Sequence, residues 1–125
     1  MKIFDNNELE VFEYENEDYE PTMHFGEWRV AFMNCSDARA NVTRYERHNL
    51  TDEVFVLLEG QAALMIGDEK KIFRMEKNKI YNIKKGVWHG SAMSRDAKLL
   101  VVENQNTSRD NTDIIFFEEE FKVEF

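Results

Sequence analysis

The sequence predicts an all-β sandwich or barrel, and three observations carry that prediction. Apolar runs of strand length, rich in β-branched and aromatic residues, recur at intervals of roughly 8–12 residues with turn signals between them. No run keeps a helical period over about ten residues or more. Punctuation is sparse, with one proline, Pro21, and five glycines in 125 residues.

The strands are expected near Trp28–Met33, Asn41–His48, Val54–Leu58, Ala62–Ile66, Lys71–Arg74, Ile80–Ile83, Lys98–Glu103 and Ile114–Phe117. Gly60 after Glu59, and Gly67-Asp68 after Ile66, supply hairpin turns, because such residues tolerate the backbone angles that tight turns need. Leu9–Tyr19 is acidic and reads equally as strand, arm or loop. In the tail, Glu118–Phe125, the residues Phe121, Val123 and Phe125 alternate with charges, which suits an added edge strand. The length fits one domain, 1–125. Its core barrel is expected at about 28–117, with an N-terminal arm (1–27) and a C-terminal edge segment (118–125).

Hydrophobic residues make up 42% and charged residues 33%, the balance of a soluble globular protein. Sixteen basic against twenty-five acidic residues leave a net charge of -9. That argues against nucleic acid and anionic membrane surfaces as partners, since both need clustered cations. Cys35 is the only cysteine, so neither an internal disulfide nor a multi-cysteine zinc site is available. Met1–Glu10 lacks an apolar signal core and no run approaches membrane-span length, so the cytoplasm is the expected location.

The chemistry concentrates in two segments. Glu46-Arg47-His48-Asn49-Leu50-Thr51-Asp52-Glu53 runs straight into the apolar Val54–Leu58, and Gly86-Val87-Trp88-His89 lies far along the chain. Side chains alternate along a strand, so Val42, Arg44, Glu46 and His48 are expected on one face and Thr43, Tyr45 and Arg47 on the other. A row of ionisable groups facing a barrel interior is costly unless a metal or a polar ligand pairs it. Two imidazoles and a carboxylate, His48, Glu53 and His89, form a set that leaves coordination positions open. With Glu46 added the site becomes richer in oxygen, favouring manganese, iron or zinc over copper.

These segments resemble the two motifs of the cupins, double-stranded β-helix (jelly-roll) barrels. The first motif aligns as Ala40, five residues, Glu46-Arg47-His48, four residues, Glu53, six residues, Gly60. The second aligns as Asn78, five residues, Lys84-Lys85-Gly86, two residues, His89, three residues, Met93. The stretch between them, Gln61 to Lys77, has the family's usual length. Departures stand at several positions. Glu46 replaces the family's first histidine, Lys84 its proline, Ala40 and Asn78 its opening glycines, and Met93 its asparagine. The resemblance implies a cupin barrel in which His48, Glu53 and His89, with Glu46, hold a divalent metal (manganese, iron, zinc or nickel).

The expected function is to act on or bind a small sugar or organic-acid metabolite. In an enzyme the metal would act as a Lewis acid, and an unligated Glu46 would be the catalytic base. A non-catalytic metabolite-binding or sensing barrel without metal is the alternative, because fold does not fix function. Pairing of edge strands implies a homodimer.

Other residues have plainer readings. His24 is expected to be structural or exposed, Trp88 to pack away from His89, and Cys35 to be a small buried hydrophobe. The cations Lys70, Lys71, Arg74, Lys77, Lys79, Lys84 and Lys85 read chiefly as the solvated face of two hairpins, and alternatively as a lure for an anionic substrate. Phe55, Leu57 and Met65 read as core, or as the lining of a pocket.

Overall fold

The period-two pattern is realised as two five-stranded antiparallel sheets in a computed structural model that describes residues 1–125. The strands, in chain order, are β1 (Lys2–Asp5), β2 (Glu10–Phe12), β3 (Asp18–Phe25), β4 (Trp28–Asn34), β5 (Val42–His48) and β6 (Glu53–Glu59). They continue with β7 (Ala62–Ile66), β8 (Lys71–Arg74), β9 (Tyr81–Ile83), β10 (His89–Met93), β11 (Lys98–Asn104) and β12 (Thr112–Phe121). A single 3-10 turn, Arg109–Asn111, leads into β12. One sheet runs β12-β5-β10-β7-β8 and the other β3-β4-β11-β6-β9, while β1 and β2 pair separately. From β4 to β7, and again from β9 to β12, every connection crosses between the sheets. This is the winding of a jelly-roll.

Alternation fills the space between the sheets. Phe55 and Leu57 of β6 and Leu99 and Val101 of β11 point inward and pack with Met33, Leu64 and Met93. Leu99 and Val101 are fully enclosed, and each such side chain contributes about 1.5–3 kcal/mol relative to exposure. A smaller cluster of Val42, Tyr45, Met65 and Ala92 packs with Trp88 and Phe117. Met65 belongs there while Phe55 and Leu57 are in the main core, so the three do not form one row. Val42 joins Tyr45 although the alternation places it with Arg44. The pairing of β5 with β12 is irregular in this stretch, where Arg44 meets Phe116 but Val42 meets Phe121.

Eight strands lie where the sequence places them, to within a few residues at their ends. Others were hidden. β3 falls inside the expected arm, yet it pairs with β4 along its whole length. Pro21 masks it, since proline argues against a central strand but is tolerated at a sheet edge, where β3 lies. β10 is built from Gly90, Ser91 and Ala92, which have weak strand preference, and is held by full pairing with β7. In the tail the ladder ends at Phe121. Beyond it the Val123 amide donates to Asn41 Oδ1 (3.2 Å), and the Arg74 guanidinium sits over the Phe125 ring.

Candidate metal centre

Three strand ends build the site. His48 is the last residue of β5, Glu53 the first of β6 and His89 the first of β10. Hydrogen bonds clamp the two ligand-bearing segments together. The Gly86 amide donates to the His48 carbonyl (2.8 Å), and Asp52 accepts from the Lys85 amide (2.8 Å) and Asn82 Nδ2 (3.1 Å). Gly86 has φ +78, a conformation glycine adopts without strain. Gly90 has a different role. A Cβ there would lie 2.6 Å from Val42 Cγ1 and 2.7 Å from the Arg44 carbonyl oxygen, so only glycine lets β10 close onto β5.

The three side chains are buried and converge. Glu53 Oε1 lies 3.2 Å from His48 Nε2 and 3.0 Å from His89 Nε2, and the three donor atoms all lie within 4.8 Å of one another. Metal–ligand bonds of about 2.1 Å at octahedral or tetrahedral angles put neighbouring donors about 3.0–3.4 Å apart, so the spacing around Glu53 suits an ion.

The tautomers point the same way. His89 Nδ1 faces the Val87 carbonyl at 3.0 Å, and a carbonyl only accepts, so Nδ1 carries the proton. Its Nε2 then faces Glu53 Oε1 at 3.0 Å, where a ring with both nitrogens protonated donates to the carboxylate and a neutral ring shares a cation with it. His48 Nδ1 is 2.9 Å from Thr112 Oγ1, and its Nε2 is buried without a hydrogen-bond partner. A buried orphan of this kind calls for a physical explanation, and a metal ligand is one.

Electrostatics sharpen the contrast between neighbouring groups. Burial alone would raise the Glu53 carboxyl, but the close approach of the His48 and His89 imidazoles outweighs it and holds Glu53 well below the usual carboxylate range. Burial would lower His48, and the Glu53 carboxylate 3.2 Å away, with the charges of Glu103 and Glu46, raises it instead. Glu103, on the next strand, is pushed up, first by burial and then by the charge of Glu53. Its Oε1 accepts from Arg29 Nη2 (2.6 Å) and from the Tyr19 hydroxyl, while Oε2 is buried without a partner.

A cavity of about 300 Å³ opens beside these groups, lined among others by Glu46, His48, Glu53, Phe55, His89 and Glu103. Phe55 therefore serves both core and cavity. Glu46 pairs in register with His89, yet its carboxylate is not among the converging donors. It lies 3.0 Å from Arg44 Nε on the same strand face. The expected row Arg44, Glu46 and His48 does face the cavity. Glu103, Arg29, Tyr19 and Thr112 were not singled out in the sequence. Glu103 had a signal, because it shares the inward parity of Leu99 and Val101.

The remaining candidates keep their plainer readings. His24 is exposed on β3. Trp88 stacks on Tyr45 (6.4 Å between centroids) with Arg47 over its ring, away from the cluster. Cys35 is buried, and burial pushes its thiol up, against a role as nucleophile. None of the seven cations from Lys70 to Lys85 lines the cavity. No helix is long and apolar enough to cross a membrane.

No family model and no curated protein matches the chain. Solved structures do. A cupin-2 domain protein from Shewanella frigidimarina superposes with a TM-score of 0.59 at 18% identity, covering 74% of this chain and 85% of that one. Streptomyces Pac13, described as a nucleoside dehydratase and solved with uridine, gives 0.64 at 4% identity, covering 85% and 84%. KdgF from Halomonas sp. gives 0.56 at 15% identity, covering 74% and 79%. At these identities the likeness is one of fold, and with the strand winding and the buried His-Glu-His group in place, the chain is a small cupin-fold protein.

Proposed function

We propose that this chain is a metal-dependent cupin acting on a small sugar or organic acid, with His48, Glu53 and His89 holding one divalent ion of manganese, iron, zinc or nickel. The observation that carries the reading is the buried, unpartnered Nε2 of His48 beside a carboxylate that His89 also addresses. When bound, the ion supplies Lewis-acid polarisation of a substrate oxygen. The chain's own residues do the rest. Val87 and Thr112 fix the two imidazoles, and Phe55 covers the cavity wall. Glu46 stands outside the ligand set, facing the cavity, as the group that takes or returns a proton. That Pac13, of the same fold, is solved with uridine supports a small polar ligand in such a barrel.

The test is metal content by mass spectrometry of protein purified without tag or chelator, for wild type, His48→Ala and His89→Ala. About one ion per chain, lost in both variants, is expected. No ion after reconstitution with all four metals sinks the reading. Turnover that tracks occupancy then separates catalysis from binding. A homodimer through the edge of β12, where Ile115, Phe116 and Phe121 are exposed, belongs to the same proposal, and a monomeric mass in sedimentation refutes it.

A further inference from the structure

Four of the chain's seven arginines, Arg29, Arg39, Arg44 and Arg109, line the cavity, and none of its nine lysines does. In a chain of net charge -9 that is a selective placement. Their partners are unequal. Arg29 is satisfied by Glu103 (2.6 Å) and Arg39 by Asp18 (2.9 Å). Arg44 lies 3.0 Å from Glu46, but its Nε is buried and makes no hydrogen bond, so the carboxylate meets the charge without taking the proton. Arg109, exposed on the 3-10 turn, has no carboxylate within 4.0 Å. Three of the four guanidiniums therefore have a carboxylate beside them, while Glu53 lies among the imidazoles, and the one unpaired guanidinium, Arg109, stands towards the solvent side.

We infer that the cavity binds a small anionic metabolite, whose oxyanion group takes the guanidinium hydrogens of Arg44 and Arg109 while its neutral end turns towards His48, Glu53 and His89. Guanidinium forks match carboxylate and phosphate oxygens two at a time, which lysine does not. Arginine at every cationic position of the lining fits recognition of that kind. Burial, and then repulsion from Arg39 and Arg109, hold the Arg44 guanidinium below its usual pKa, a repulsion an anion relieves. The arrangement also forms a path. Arg109 is exposed, Arg39 and Arg44 are half-buried, and the metal-type cluster is buried. An exposed, unpaired guanidinium at the outer end of this lane draws an anion in against the overall negative charge. The inference deepens the metal reading and rests on it only for which end of the ligand faces inward.

The experiment is calorimetric titration of the full chain, metal-loaded and chelator-stripped, with two matched sets at fixed ionic strength. One set is glycerol, glycerate and glycerol 3-phosphate, and the other is glucose, glucuronate and glucose 6-phosphate. At least one anion is expected to bind about tenfold or more tightly than its neutral counterpart, and the carboxylate and phosphate arms identify the head group. Arg44→Gln and Arg109→Gln are each expected to remove most of that preference while circular dichroism stays unchanged. Arg109 is exposed, so its variant decides the matter if Arg44→Gln fails to fold. Equal binding of neutral and anionic members, no binding by any anion, or a preference that survives both substitutions overturns the inference. Metal content is read on the same samples. A preference for anions without metal fails only the metal reading, and metal without the preference fails only this inference.

Discussion

Thr112→Val isolates one hydrogen bond of the candidate metal centre. Thr112 pairs in register with His48, and its Oγ1 lies 2.9 Å from His48 Nδ1. When Nε2 is a ligand, the neutral ring carries its proton on Nδ1, and the threonine hydroxyl must accept it. Valine keeps the β-branched shape that suits a strand, so β12 stays intact. What is lost is the acceptor for a buried N–H, at a cost of about 1–3 kcal/mol. Without metal the ring escapes much of that cost by moving its proton to Nε2, beside Glu53. The loss therefore falls mainly on the metal-bound state. Loss of an outer partner of a ligating histidine typically weakens binding about 10–100-fold, or about 1.4–2.8 kcal/mol, which agrees with the hydrogen-bond figure. The assay is competition against a fluorescent chelator at fixed pH, with Thr112→Ser as a control that retains the hydroxyl. Unchanged metal affinity in the valine variant, or equal weakening in the serine variant, refutes the reasoning.

Further outcomes follow from the same geometry. Gly90→Ala drives a methyl group against the Arg44 carbonyl oxygen and Val42. It is expected to cost about 1–3 kcal/mol, read as a lower urea midpoint, together with weaker metal binding as His89 is displaced. A wild-type midpoint contradicts the close approach. For metal-free protein, the depressed Glu53 carboxyl stabilises above its ordinary value of 4.5, and this is lost as pH falls through the folded value. The raised His48 stabilises below its ordinary 6.5, and this is lost as pH rises through the folded value. Their joint contribution thus peaks between 4.5 and 6.5. Metal needs both imidazoles deprotonated, so the melting-temperature gain on adding metal is expected to grow from about pH 5 to 8. A gain independent of pH, in melts with and without chelator, opposes the assignment.

The parts of the molecule that were legible in the sequence alternate, run apolar, or carry the motif residues. β6 and β11 alternate and β7 runs apolar, so their positions can be read directly, while in β5 only the stretch from Arg44 to His48 keeps its expected face. The three candidate ligands were legible because the motif spacing survives even where residues depart from it. Glu46 shows the limit of spacing. The position faces the cavity, but the side chain answers to Arg44 two residues earlier. The network of Tyr19, Arg29 and Glu103 was not legible, because cross-strand register brings together residues up to 84 positions apart. Arg109 stood on no predicted element, and its place at the cavity depends on how the 3-10 turn delivers β12. β3 and β10 were missed because tertiary pairing, and not local preference, makes them strands.

The Gly86 amide bound to the His48 carbonyl has a consequence for how the centre evolves. The two ligand-bearing segments are joined through main-chain atoms, which every residue type carries. The frame therefore owes little to the identity of the three donor side chains, and more to Asp52 and Gly90. Exchanging a histidine for another donor changes the coordination chemistry without asking the barrel to refold. Glu46, standing where an imidazole stands in the cupin motif, shows that the strand pairing accepts another side chain at such a position. Side chains at these strand ends can change singly while β6 and β11 continue to carry the stability of the barrel.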